Sequence, residues 1–237
     1  MNIGLIIVII IGIIFLGSAI IGIKGQKKWS REYEQSIKLA GFILRPELKE
    51  TVKQAATQVL LQKHNIINNV DEPYHYSYNS GDVYYAGIDL GGKGKYGLVI
   101  ADAFIFPLKP QNDQPFVIFI KSETYKGEIY TKDLITKKYI MSDLYKPHDL
   151  GILPTDEQTA GGSILFAYGP SGSSLNDILS PSQLAMVKEI ADIGFFALYY
   201  NQGKAGLFTV SRFKNHAMYK MAWKDQWECV KSLMDAG

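Results

Sequence analysis

The sequence has a single cysteine, Cys229, among its 237 residues, so no internal disulfide can form. A lone thiol suits a reducing compartment. Charge of one sign is also missing. Lys and Arg number 25 against 23 Asp and Glu, a net charge of +2. Nothing here matches the strongly basic surface of a nucleic-acid binder, and nucleic acid is not an expected partner. There is no internal repeat, and no low-complexity segment outside the N-terminal region. No Cys or carboxylate stands at ligand spacing from His64 or His75, which leaves a metal site without donors. On one closing helix, Cys229 and His216 would lie thirteen residues apart, about 20 Å, too far for a base to activate a thiol. Cys229 therefore reads as a small apolar residue.

What the sequence does have is a long apolar run. Ile3 to Ile23 holds no charge, and Ser18 is its only polar side chain. As a helix it rises about 30 Å, enough to cross the hydrocarbon core of a bilayer. Only Met1 and Asn2 precede it, without the basic n-region of a cleavable signal, and the run exceeds a usual h-region. An uncleaved anchor over 1–24 is expected. Lys24, Lys27, Lys28 and Arg31 follow directly, so the positive-inside rule keeps the C-terminal side in the cytoplasm. The membrane-anchoring residues are thus Ile3, Ile23, Lys24, Lys27, Lys28 and Arg31. The four cations would also meet anionic lipid heads, each contributing on the order of 1 kcal/mol. Trp29 and Tyr33 stand at interfacial depth. Gly4, Gly12, Gly17 and Gly22 never show the spacing of a GxxxG dimer motif.

After the anchor, about 210 residues are enough for a domain with its own core. A helical spacer is expected over 25–70. It comprises a short helix from Trp29 to about Leu39 and a second opened by Pro46 and running to about His64. Leu48, Val52, Ala55, Ala56, Val59 and Leu60 form an apolar face on the second. Asn65 to Ser80, rich in Asn, Ser and Tyr, reads as an irregular connection. An α+β domain over 71–237 follows, an antiparallel or mixed sheet with flanking helices. Its strands are expected at Asp82–Leu90, Tyr96–Phe106, Gln114–Lys121 and Gly162–Tyr168, with others from Glu123 to Met141, while Ser142 to Gln158 reads as loop. Ser180-Pro181 caps a helix that Gly194 stops. Phe195–Tyr200 and Gly206–Arg212 form a hairpin, and a helix from about Asn215 to Asp235 closes the chain.

Two motifs imitate chemistry. Gly92-Lys93-Gly94-Lys95-Tyr96-Gly97 spells G-x-G-x-x-G, but a strand-like run follows it where a phosphate-binding helix should begin. Gly87-Ile88-Asp89-Leu90-Gly91-Gly92, with Leu98 to Asp102, resembles the first phosphate hairpin of sugar kinases and actin-like ATPases. That resemblance implies a metal-linked carboxylate at Asp89 and a phosphate turn at Gly91 and Gly92. It covers about sixteen residues and has no second phosphate hairpin beside it. A tight β-hairpin explains the glycines without a ligand. Ser171, Ser173 and Ser174 lie in Gly-Pro-Ser-Gly-Ser-Ser, which is out of frame for a nucleophile elbow. His148-Asp149 and Asp156-Glu157 read as solvated loop pairs. No catalytic, cofactor or metal residue is assigned.

Phe166-Ala167-Tyr168-Gly169, then Ile178-Leu179-Ser180-Pro181 opening a helix, then Ala197-Leu198-Tyr199-Tyr200, Gly203 and Gly206-Leu207-Phe208, make an ordered block. With the anchor, this order is similar to that of uncharacterised bacterial membrane-anchored proteins carrying a domain of unknown function. The resemblance implies architecture and bacterial origin, and transfers no functional residue. The expected function is a non-enzymatic binding or interaction domain. It would sit at the cytoplasmic face of the inner membrane, with the bilayer and a membrane or cytoplasmic protein as partners. The alternatives are a tethered hydrolase or nucleotide-handling enzyme using Asp89 with His148 or Asp149, and an envelope module exported across the membrane.

Overall fold

The computed structural model describes residues 31–60, 67–90, 99–121, 150–153, 164–193, 195–209 and 216–237. They fall into two compact units, one comprising residues up to Phe42 with Asn215–Met221, the other Ile43–Lys214 with Ala222–Gly237.

In the first unit, helix α1 spans 31–39 and carries the exposed Arg31. Its end is a Schellman closure. The Gly41 N–H donates to the Lys38 carbonyl (2.9 Å) and the Phe42 N–H to the Ile37 carbonyl (3.2 Å). Gly41 supplies the required positive φ of 93°, and Ile37 and Phe42, at the two positions this motif brings together, are both buried. Among the described residues no helix is long and apolar enough to cross a membrane. The run Ile3 to Ile23 and the cations Lys24, Lys27 and Lys28 lie outside those residues.

The second unit is built on one sheet. Its elements are β1 (Ile43–Leu44), a 3-10 turn (Pro46–Leu48), α2 (Lys49–Val59), β2 (Ile67–Tyr78), β3 (Gly81–Leu90), β4 (Val99–Pro107), β5 (Phe116–Lys121), β6 (Gly151–Leu153) and β7 (Ile164–Gly169). There follow α3 (Leu175–Ile178), α4 (Pro181–Ile193), β8 (Phe195–Asn201), β9 (Lys204–Thr209) and, from Ala222 on, α5 (His216–Asp235). Among the described residues, nine strands pair in the order β1-β2-β3-β4-β9-β8-β5-β7-β6, and each of these pairings is antiparallel. The α+β class is thus the observed one.

The order has a mechanical logic. Strands β1 to β4 form one consecutive ribbon, and β5, β7 and β6 form another. The late hairpin β8–β9 lies between the two, with β9 on β4 and β8 on β5. Its two-residue turn, Gln202-Gly203, has φ of 50° and 77°, the left-handed pair that matches the twist of an antiparallel ribbon. The turn is tied to α2. Gln58 Nε2 donates to Gln202 Oε1 (3.0 Å), and Asn201 Nδ2 donates to the Gln58 carbonyl (2.9 Å).

Helices cover both faces. Val52, Ala55, Ala56 and Val59 of α2 join Ala86, Ile88, Ala103, Ile105, Val117, Phe119, Ala197, Tyr199 and Phe208 in one buried cluster. On the opposite face, α5 lays Trp223 and Trp227 over Phe104 (centroids 6.0 Å in each case), and Tyr85 packs on Phe104 at 4.6 Å. Coverage on two sides explains why β5 reads FVIFIK rather than alternating. Phe116 to Ile120 are all buried.

Two local expectations fail. Asn65 to Ser80 is not an irregular connection, because Ile67–Tyr78 is a strand paired with β3 along its length. Its Asn, Asp and Pro residues fit because the register shifts twice, between Ile67 and Asn69 and between Asp71 and Tyr74, and Glu72 takes φ 46° at the second shift. Ser142 to Gln158 is not wholly loop, since Gly151–Leu153 adds a short edge strand to β7. The strands expected between Glu123 and Met141 lie outside the described residues.

Candidate functional site

Of the residues to which the phosphate-hairpin resemblance gives a role, Asp89, Gly91 and Gly92, the structure describes Asp89. It lies on β3 opposite Asn69 of β2 and Ile100 of β4. Alternation puts Gly87 on the same face, with Asp71 opposite it on β2 and Asp102 opposite it on β4. Three carboxylates therefore share the face of the Tyr85–Phe104 aromatic layer, beyond its end. A Cβ at Gly87 would lie 3.5 Å from the Asp71 Cβ, an ordinary contact, so the space there does not require glycine. Asn69 Nδ2 donates to Asp71 Oδ1 at 2.6 Å. Asp89 Oδ1 is buried and has no hydrogen-bond partner. A desolvated carboxylate oxygen is a strong acceptor, and this is the chemically most distinctive atom among the described residues.

The G-x-G-x-x-G fingerprint is not realised beside it, because that motif needs a helix after its glycines. Leu90 pairs with Val99, and β4 runs back antiparallel to β3. The residues after the glycine-rich stretch are thus a strand, as expected, with no helix N-terminus to receive a phosphate. Gly91, Gly92, His148, Asp149, Asp156 and Glu157 lie outside the described residues. Among the described residues no group of three His, Cys, Asp or Glu side chains is arranged to hold a metal.

A second polar group was not legible in the sequence, because it depends on strand pairing. His75 of β2 stands opposite Tyr84 of β3, its ring 5.6 Å from the tyrosine's. His75 Nε2 lies 2.9 Å from Asp82 Oδ1, and Ser77 Oγ donates to the same oxygen at 3.4 Å. The residue types are those of a hydrolytic triad, but their order is wrong. The serine meets the carboxylate instead of the imidazole, so no base is linked to the hydroxyl. Burial, with help from Asp82, raises the Tyr84 phenol above its ordinary pKa. By strand alternation the cluster occupies the opposite face from Asp89.

The remaining candidates have structural duties. Ser174 caps α3 in a reciprocal box with Asp177, whose Oδ2 accepts from the Ser174 N–H (2.7 Å) and hydroxyl (2.8 Å). Those bonds, the backbone one first, hold the Asp177 carboxyl below its usual range. Ser180 and Gln183 cap α4 likewise. The Gln183 N–H donates to Ser180 Oγ, the Ser180 N–H donates to Gln183 Oε1, and Gln183 Nε2 reaches the Lys109 carbonyl. Tyr200, buried, donates to Asp113 and accepts from the Gly203 N–H at 2.9 Å. Burial first and Asp113 second push its pKa up to about 12. Cys229 is buried on α5, and burial pushes its thiol up to about 11. It is apolar packing, as its surroundings in the sequence suggested.

No protein-family model matches this chain, and neither a curated protein nor a solved structure does.

Proposed function

We propose that this chain is a single-pass membrane protein that holds its α+β domain at the cytoplasmic face of a bacterial inner membrane, as a binding module for a partner protein. The carrying observation is the uncharged run Ile3 to Ile23 followed directly by Lys24, Lys27, Lys28 and Arg31. In support, the hydroxyl, thiol and phenol groups described above are engaged in caps, strand contacts or packing, as expected of a domain whose interior serves stability. A fusion of the full chain to a topology reporter tests the placement. A cytoplasm-active reporter at the C-terminus is expected to give signal, and a periplasm-active one is expected to stay silent. Signal from the periplasmic reporter overturns the orientation. Replacing the four collar cations with Gln is expected to yield mixed orientations.

One observation favours a second reading, in which the domain is an enzyme. Asp89 Oδ1 is buried without a partner, an arrangement found where a carboxylate awaits a ligand. Asp89→Asn in the full chain separates the two. If the carboxylate is idle, the variant keeps or gains stability. If it handles a nucleotide or hydrolysable substrate, turnover by the wild-type chain is measurable and the variant abolishes it.

A further inference from the structure

We draw no further inference here: the strongest candidate, the carboxylate cluster of Asp71, Asp89 and Asp102 around Gly87 on the face of the sheet, is an acidic cluster in which Asp89 is only partly buried and for which no second observation points to a ligand.

Discussion

The Cys229 thiol is buried on α5, and its pKa of about 11 reflects that burial first, then the carboxylates of Glu189, Asp225 and Glu228. At pH 8 only about one thiol in a thousand is ionised, and attack on a disulfide reagent requires the thiolate. The native full chain in mild detergent is therefore expected to resist such a reagent at pH 8 and to react with one equivalent once denatured. Fast labelling of the native chain would mean that α5 does not cover the sheet. Gly203 gives a different residue-scale test. A Cβ there meets nothing within 4 Å, yet φ is 77°. Gly203→Ala thus isolates the backbone term and is expected to cost about 1 kcal/mol in chemical denaturation. Asn at the same position, which tolerates the left-handed region, is expected to cost less.

Among the elements, the contact of α2 with β9 is closely packed at Gly206. A Cβ on Gly206 would lie 2.5 Å from Phe208 Cε2, 2.9 Å from Val59 Cγ1 and 3.2 Å from Ile105 Cδ1. Gly206→Ala is expected to destabilise by about 1–3 kcal/mol through overpacking. The penalty should shrink in a Val59→Ala background, and a double-mutant cycle that adds without coupling would refute the packing of α2 at this point. This scale also shows what the sequence could convey. The apolar stripe of α2, the Ser180-Pro181 start of α4 and the Gly203 hairpin were readable because each rests on local chemistry: 3.6-residue spacing, a cap and a turn. Strand β2 was unreadable because Asn68, Asn69, Asp71 and Pro73 are turn formers taken one at a time. Only pairing with β3 shows that register shifts absorb them, and β1 reaches β2 only at Tyr74 and His75, so Pro73 breaks no ladder there. The candidate site follows the same rule. Asp89 was picked out by its glycines, whereas its true neighbours Asn69, Asp71 and Asp102 come from two other strands and leave no trace in spacing. The group of His75, Ser77 and Asp82 was missed for the same reason.

For the molecule as a whole, alkaline pH is the revealing variable. Tyr200 titrates near 12 in the fold, mainly because it is buried, whereas an unfolded tyrosine titrates near 10. The folded chain thus holds a proton that the unfolded chain releases. This contribution is complete below about pH 10 and is lost as pH rises towards 12. Tyr84 and Tyr168, raised by burial, and Tyr78, raised by its hydrogen bond to Asp235, act in the same direction. The melting temperature is expected to fall across that window, and Tyr200→Phe is expected to flatten part of the slope. A wild-type melting temperature that stays level from pH 10 to 12 would contradict the burial of Tyr84, Tyr168 and Tyr200.

The position of the β8–β9 hairpin between the two ribbons also has a consequence in time. The edge of β4 that β9 occupies is synthesised roughly a hundred residues before its partner, an interval of about 5–20 s on the ribosome. Throughout it, the apolar strand Val99–Pro107 and its counterpart Phe116–Lys121 present unpaired backbone to whatever is near. Until the β8–β9 hairpin has emerged, the two ribbons therefore have nothing through which to join as they do in the finished sheet.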